Sequence, residues 1–375
     1  MTGRERVNLA LTHKEPDKIP ISIGSHCCDG FTIEALQTFG EYMNTDYGNM
    51  PLSSKMMGSV YTPDALLKSF ESDFRTITPQ KPYNDKTVQL QDGGYIDEYG
   101  CTFAACKYYY DIVKRPLAGT ITVEDIEKSS WPDPNDKGRY AGLMQEAQNL
   151  RSTTDYAIVA EMICCGPFEQ ACWVRGFDDF LCDLYADPYM AEALMDKITQ
   201  INLQFYDNYL EEVGEYIDVF CQGDDLAIQN SSFMSPEIYH KYILKYHKQM
   251  YDLVKRKSSA KIMHHCCGSA YGLLPGLIEA GIDILNPVQV SALNMEPERL
   301  KKEFGRDICF WGGIDVQHLL PNGTVDEVKE AAMHVMEVLG KDGGYVFAPS
   351  HNLQPLIPPE NIKAMYDTAL LHRDY

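Results

Sequence analysis

Short apolar runs rich in β-branched and aromatic residues recur along the chain, with stretches of helical character between them. Parallel strands joined by helices produce this alternation. Eight such units predict an α/β fold with a closed (β/α)8 barrel, the TIM-barrel architecture, as a single domain over residues 1–375. The eight runs are residues 18–24, 73–79, 156–162, 217–223, 261–267, 282–288, 307–313 and 344–350.

A different pattern, in which polar and apolar residues alternate, occupies residues 84–112. The alternation surrounds an Asp-Gly-Gly sequence at residues 92–94, and glycines of this kind allow a tight turn between two strands. We therefore predict a β-hairpin that is inserted after the second barrel strand and covers the barrel mouth.

Polar side chains follow the ends of the predicted strands. In a (β/α)8 barrel the loops after the strands gather at one face, and this face carries the active site. The fold is therefore expected to bring these distant residues around one cavity. They are His26 after the first strand, Glu161 at the end of the third, Asp224 and Asp225 after the fourth, His265 and Cys267 at the end of the fifth, and His351 after the eighth.

The fifth run ends in His264, His265, Cys266, Cys267 and Gly268. Side chains of a strand alternate between its two faces, so His265 and Cys267 share one face, and His264 with Cys266 shares the other. Imidazole together with thiolate favours zinc. The residues alone do not decide which pair binds the metal. The alternative is a core strand in which the cysteines act as small apolar side chains and the histidines are hydrogen-bonded.

Composition narrows the class of protein. The net charge is −21, from 33 basic and 54 acidic residues, and this charge would repel both nucleic acid and anionic membranes. No run of 18 or more apolar residues predicts a membrane span. Twelve cysteines, six of them in adjacent pairs, suit free thiols in the reducing cytosol of an anaerobe. We therefore expect a cytoplasmic enzyme with a small-molecule substrate.

Several longer segments carry a resemblance to a known family. They are residues 4–21, 166–188, 221–243, 265–268, 310–324 and 343–362. Together they resemble the uroporphyrinogen decarboxylase superfamily and, within it, the zinc-dependent, corrinoid-linked methyltransferase branch. The decarboxylases carry an arginine-rich motif near the N-terminus, and residues 20–30 do not resemble it, so decarboxylation of a porphyrinogen is disfavoured.

The resemblance implies a set of zinc ligands. The methyltransferases carry His, any residue, Cys, Gly at the end of the fifth strand, which corresponds to His265, Cys267 and Gly268 here. A cysteine after the last strand is the third ligand in the coenzyme M methyltransferases, and His351 is at the matching position. Cys309 is a weaker alternative because it comes early in its strand. An imidazole in place of a thiolate makes the site less negative and favours an oxygen-linked methyl donor.

The function implied is transfer of a methyl group from a methoxylated, aromatic compound to the cobalt of a corrinoid on a separate protein. Zinc and the partner's corrinoid are thus the expected cofactors, and a homo-oligomer is left open. The alternatives are transfer from a methylcorrinoid to a thiol of the coenzyme M type, a decarboxylase-like reaction without metal, and a non-catalytic zinc protein.

Catalytic and substrate-binding roles are predicted for the other polar residues. Asp224 and Asp225 are expected to orient the substrate or to deliver a proton, helped by Gln229, and helix capping is the alternative. Glu161 is a candidate base or ligand, or else a buried partner of Arg175. The predicted substrate-binding residues are His26, Gln229 and Asn352. For His26, beside Cys27, Cys28 and Asp29, the alternatives are an alternate metal ligand and packing in the core or rim.

Overall fold

In a computed structural model that describes all 375 residues, seven parallel strands form one curved sheet, and each pairs with its neighbours in chain order. Helices connect the strands, so the predicted alternation of strand and helix is confirmed. The strands are β1 (Phe74–Ile77), β2 (Ala157–Ala160), β3 (Val219–Gly223), β4 (Lys261–His265), β5 (Ile284–Val288), β6 (Cys309–Ile314) and β7 (Tyr345–Pro349).

The predicted first strand lies between β7 and β1 and closes the barrel, but it makes only isolated bridges, a parallel one from Ile21 to Phe347 and an antiparallel one from Lys18 to Asp374. The N–H of Phe347 donates to the carbonyl of Pro20 at 2.9 Å, and the N–H of Asp73 donates to Ile21 at 3.1 Å. Pro20 has no N–H to extend the ladder. The N–H of Ile21 donates instead to the side chain of Asp73 at 3.0 Å.

The helices surround the sheet, and several begin with the expected caps. Ser235 accepts the N–H of Ile238, and Thr324 with Glu327 forms a capping box. The α-helices are Gly3–Ala10, Ile33–Tyr42, Asp64–Ser69, Val123–Lys128, Leu143–Thr153, Pro167–Arg175, Phe177–Ala186, Pro188–Val213, Pro236–Ile238, Leu244–Lys257, Leu274–Ala280, Pro297–Phe304, Leu319–Asn322, Val325–Gly340 and Pro359–His372, with a π-helical segment at Tyr239–Ile243 and 3-10 turns at Lys137–Tyr140 and Tyr271–Leu273. None of them combines the length and apolar character that crossing a membrane requires.

The barrel interior is filled by apolar side chains from every strand. Trp311 of β6 packs against Phe74 of β1, with ring centroids 4.7 Å apart and ring planes inclined by 40°. Val7 and Leu11, from the first helix and the residue after it, belong to the same buried cluster and cover the end of the barrel at which the strands begin. This layer leaves only the opposite end, where the strands finish, open for a functional site.

The inserted segment is larger than the predicted hairpin. It is an antiparallel sheet of four strands, Val88–Gln89, Tyr95–Ile96, Thr102–Ala105 and Tyr110–Lys114. The Asp-Gly-Gly sequence does form the first turn, in which the N–H of Leu90 donates to the carbonyl of Gly94. Two smaller antiparallel sheets join Phe31–Thr32, Leu52–Ser54 and Ser59–Val60, and Ala227–Ile228 with Ser231–Ser232.

Candidate metal-binding site at the barrel mouth

The register of β4 directs His265 into the barrel. Met263, two residues earlier on the same face, belongs to the interior cluster, whereas Ile262 packs against the surrounding helices. Cys267 follows the strand, and its Sγ lies 3.4 Å from Nε2 of His265. Gly268 then turns the chain with φ of +82°, where a Cβ would overlap the carbonyl of Ile228.

Asn286 of β5 orients the His265 ring. Its Oδ1 lies 2.6 Å from Nδ1 of His265. Because this oxygen can only accept, Nδ1 carries the proton and Nε2 presents its lone pair to Cys267. Asn286 was not identified from the sequence, although it is a polar residue in an otherwise apolar strand beside the ligand strand.

His351 completes a three-residue group with His265 and Cys267, which we call the outer set. One ligand atom from each residue lies within 4.8 Å of the others. Burial, helped by the neighbouring rings of His265 and His26, lowers the pKa of His351 to about 3. The ring is therefore neutral at pH 7, the form that binds a metal. Burial also raises the pKa of the Cys267 thiol well above its ordinary value.

Replacing Asn286 by alanine is expected to weaken zinc binding by about 10–100-fold, because the His265 ring loses the contact that fixes its tautomer. Asn286→Asp should retain tight binding, since its carboxylate accepts the same proton. Competition with a chromophoric chelator measures both affinities. Asn361→Ala is the matched control, a buried amide that contacts only the carbonyls of Leu320 and Gly323. Equal affinity in Asn286→Ala and wild type would contradict the orienting role.

His26 and Cys28 lie beside the outer set, on the loop after the barrel-closing segment. The ring centroid of His26 is 6.0 Å from that of His265, and a ligand atom of His26, Cys28 and His265 can be chosen so that all lie within 4.8 Å. We call these three residues the inner set, because all of them are buried. His26 was predicted to bind substrate, with an alternate ligand role left open, whereas no role was predicted for Cys28.

Asp225 contacts the metal-binding loop directly. Its Oδ1 accepts the N–H of Cys267 at 2.7 Å. Glu169, which was not identified from the sequence, accepts the N–H of Asp225 at 3.4 Å. Burial raises the pKa of both carboxyl groups, and the charge of Asp225 raises that of Glu169 further. Protonation of one of the two would relieve this repulsion.

Asp224 points away from this loop. Its carboxylate accepts the N–H groups of Phe168 at 3.2 Å and Glu169 at 2.6 Å, at the start of helix Pro167–Arg175. Nε2 of His247 lies 2.7 Å from the same carboxylate. A Cβ on Gly166 would overlap this carboxylate, so glycine is needed for the close approach. Asp224 therefore caps a helix, as the alternative role proposed, but this helix precedes Asp224 in the chain and is not the segment that follows it.

Glu161 is buried and accepts the N–H of Met162 at 2.8 Å. It does not pair with Arg175, which was one of the expected roles. Arg175 instead bonds to Asp183 at 2.8 Å and Asp179 at 3.2 Å, both in the next helix, Phe177–Ala186. Burial without a cation raises the pKa of Glu161 to about 7, and the charge of Asp29 adds to this effect.

The raised pKa of Glu161 predicts a loss of stability with increasing pH. Below pH 4.5, its ordinary pKa, the carboxyl is protonated in both folded and unfolded protein. Between pH 4.5 and about 7 the Glu161 carboxyl is ionised in the unfolded chain but still protonated in the folded protein. The free energy of unfolding of metal-free wild type should therefore fall by about 3 kcal/mol relative to that of Glu161→Gln. Urea unfolding of both chelator-treated proteins from pH 4.5 to 8 measures the difference. A constant difference across this range would contradict the prediction.

A cleft of about 320 Å³ opens over the outer set. Cys267 and His351 line it, and so do four glutamines, Gln229, Gln289, Gln317 and Gln354, but neither lysine nor arginine does. The amides are linked: Nε2 of Gln289 donates to Gln229 at 2.9 Å and to Gln317 at 3.2 Å. The cleft therefore presents amide groups to a neutral ligand, but it has no lysine or arginine side chain that could bind an anionic one.

Asn352 holds the loop that carries the inner set. Its amide donates to the carbonyl of Cys27 at 2.9 Å and accepts the N–H of Gly30 at 2.9 Å. Both ends of this buried amide are thus occupied by backbone. Asn352 thus helps to position His26 and Cys28.

The remaining candidates lie elsewhere. His264 points outward and its Nδ1 lies 2.6 Å from the hydroxyl of Tyr251, while the Sγ of Cys266 accepts the N–H of Leu226 at 3.3 Å. Cys309 faces the closed end of the barrel, 3.7 Å from Nε2 of His13. Its early position in the strand thus directs Cys309 away from the mouth.

The fold and the site together describe a (β/α)8 barrel whose open end gathers histidine and cysteine side chains. The sequence profile of the family "Uroporphyrinogen decarboxylase (URO-D)" matches residues 106–370. The chain therefore belongs to the uroporphyrinogen decarboxylase family.

Relatives that are similar to this chain include both methyltransferases and decarboxylases. The methylcobamide:CoM methyltransferase MtbA of Methanosarcina acetivorans is 25% identical over 377 residues, 98% of this chain and 97% of the relative. The methylated-thiol–coenzyme M methyltransferase of Methanosarcina mazei is 26% identical over 258 residues, 67% of this chain and 66% of the relative. The uroporphyrinogen decarboxylase of Trichlorobacter lovleyi is 25% identical over 253 residues, 66% and 69% of the two chains.

A solved structure described as a methyltransferase from Methanosarcina mazei has the same fold. It superposes with a TM-score of 0.69 and covers 99% of both chains at 18% identity. At this identity the likeness shows a shared barrel architecture.

Proposed function

We propose that this protein is a zinc-dependent methyltransferase that moves a methyl group from a small methoxylated substrate to the cobalt of a corrinoid carried by a separate protein. The observation that carries the proposal is the outer set, two imidazoles and a thiol at the barrel mouth, beneath a cleft that neither lysine nor arginine lines. The methylcobamide:CoM methyltransferases among the relatives support the corrinoid part of the proposal.

The donor atoms of the outer set suit zinc. Two neutral imidazoles and one thiolate are ligands that this ion prefers, and three protein ligands leave a position open for substrate. Nε2 of His265, Sγ of Cys267 and a ring nitrogen of His351 would hold the ion. When bound, zinc supplies a Lewis acid beside the substrate oxygen and lowers the pKa of the thiol that binds it.

The surrounding residues are proposed to prepare the site. Asn286 keeps the proton of His265 on Nδ1, so that Nε2 stays free for coordination. Asp225 holds the Cys267 loop through Oδ1, and its Oδ2 could carry the proton that a departing oxygen requires. In the overall reaction the methyl–oxygen bond breaks, a methyl–cobalt bond forms with the electron pair of cobalt(I), and the oxygen takes up a proton.

The cleft favours an oxygen-linked donor over coenzyme M. Coenzyme M carries a sulfonate, and an anion of this kind is normally bound by arginine or lysine. The four glutamines suit a neutral ether and its aromatic or aliphatic body instead. A ligand set with one thiolate is also less negative than a set with two thiolates. A zinc ion held by it would therefore be a stronger Lewis acid towards a neutral oxygen.

Two parallel assays with free cobalamin test the proposal. The first supplies cobalt(I) cobalamin and a panel of methoxylated aromatics, and the second supplies methylcobalamin and coenzyme M. Absorbance follows methylcobalamin in both. We expect formation of methylcobalamin in the first assay, dependent on zinc and on Cys267. Turnover in the second assay alone would instead support thiol methylation, and rates equal to those of Cys267→Ala in both would refute a methyltransferase.

A further inference from the structure

The inner set has the same donors as the outer set but was not expected to bind metal as a group. His26, Cys28 and His265 supply two imidazoles and one thiol, with ligand atoms within 4.8 Å of one another. Their relative exposures are 3%, 6% and 7%, so water cannot readily satisfy them. Three buried ligands at this spacing meet the geometric requirement for a metal position.

The His26 ring is incompletely hydrogen-bonded. Its Nε2 is buried and has no hydrogen-bond partner. The nearest acidic oxygen, Oδ2 of Asp29, is 3.7 Å away, beyond hydrogen-bond distance. Nδ1 accepts the N–H of Cys28 in one long contact at 3.3 Å, and coordination through Nε2 would replace this contact because the ring proton then lies on Nδ1. A buried ring nitrogen without a partner costs free energy, and a bound ion would remove this cost.

We propose that one zinc ion has two alternative positions at the barrel mouth, an outer position at Cys267 and His351 and an inner position at His26 and Cys28, with His265 as the ligand common to both. This inference rests on the zinc site of the proposed function. Nδ1 of His265 is occupied by Asn286, so only Nε2 can coordinate. A single lone pair holds one ion, and the two positions therefore exclude each other.

The two positions differ in their access to substrate. Each offers two imidazoles and one thiolate, so direct coordination favours neither. Cys267 and His351 line the cleft, whereas His26 and Cys28 do not. The inner position also has two buried carboxylates nearby, Asp29 and Glu161, and the charge of Glu161 acts on the Cys28 thiol. The inner position thus holds the ion when the cleft is empty, and the outer position holds it when substrate supplies a further ligand.

Cobalt(II) in place of zinc makes the positions distinguishable, because a cobalt–thiolate bond gives a strong near-ultraviolet band. The variants to compare are Cys267→Ser, Cys28→Ser, the double variant, and His265→Asn, which removes the shared ligand. Cys309→Ser is the control, a buried thiol at the closed end of the barrel. Metal content by elemental analysis and the thiolate band are measured on each full-length protein after cobalt loading and desalting.

We expect each single serine variant to retain the thiolate band within about twofold of wild type, and the double variant to lose it at least about tenfold. His265→Asn should lose both the band and the metal. The inner position is refuted if Cys267→Ser alone removes the band as completely as His265→Asn. Wild type that binds neither zinc nor cobalt would refute the zinc assignment as a whole, and this outcome is distinct from the previous one.

Misfolding of a variant is checked by circular dichroism. Should Cys28→Ser fail to fold, His26→Gln replaces it in the series and in the double variant with Cys267→Ser. The same pattern is expected, because either change removes one ligand of the inner position. Retention of the full band by the combined His26→Gln and Cys267→Ser variant would also refute the inner position.

Discussion

Replacement of His265 by alanine is expected to abolish zinc binding and to lower the rate of methyl transfer by at least about a thousandfold, the effect of losing several kcal/mol of Lewis-acid stabilisation. His265 has the largest expected effect because it belongs to both the outer and the inner set. Its loss leaves at most two ligands in either set, too few to retain the ion against a chelator.

The matched control is His264→Ala, one residue earlier on β4. His264 is equally buried, but it faces outward and bonds to Tyr251. We expect this variant to lose stability and to keep its metal. Elemental analysis and the cobalamin assay, both corrected for folded protein by circular dichroism, compare the two. Stoichiometric zinc in His265→Ala, or loss of zinc from both variants alike, would contradict the assignment of ligands.

The barrel could be predicted from the sequence because each strand is a short apolar run between helices, and seven of eight runs form ladder strands where expected. The first run makes only isolated bridges, and its Pro20 has no N–H to donate to a ladder. The inserted sheet was underestimated because only its first turn carries an Asp-Gly-Gly sequence. The turn before the last strand, at residues 106–109, contains neither glycine nor proline, so the sequence gives no sign of it.

The meeting of His265, Cys267 and His351 could be predicted because the ends of all barrel strands lie at one face. The position of Cys28 beside His265 could not be predicted, because the path of the loop after the first strand depends on its tertiary contacts. One of these is the amide of Asn352, which is 322 residues from its partner Gly30 in sequence. Asn286 could have been found, since a polar residue near the end of an apolar barrel strand points to the same face.

Asp224→Ala is expected to lower the free energy of unfolding by about 3–5 kcal/mol, because three buried groups lose their hydrogen-bond acceptor at a cost of about 1–3 kcal/mol each. The Asp224 carboxylate is fully buried and joins the start of helix Pro167–Arg175 to His247 of helix Leu244–Lys257. Its removal would leave two N–H groups of the helix and Nε2 of His247 without an acceptor. Asn retains one acceptor oxygen, so Asp224→Asn should cost less, about 1–3 kcal/mol.

Urea unfolding at pH 7 measures these differences, and Asp326→Ala serves as the control. Asp326 also lies in the first turn of a helix, but its side chain is 86% exposed, so its removal should change stability by no more than about 1 kcal/mol.

The same proteins separate the two roles considered for Asp224. If Asp224 acts as a helix cap, its variants should be less stable, but their folded fraction should turn over substrate at nearly the wild-type rate. The reason is that the Asp224 carboxylate does not reach Cys267 or the cleft. Normal stability in Asp224→Asn, with slower turnover and an altered pH profile, would instead identify Asp224 as the proton donor.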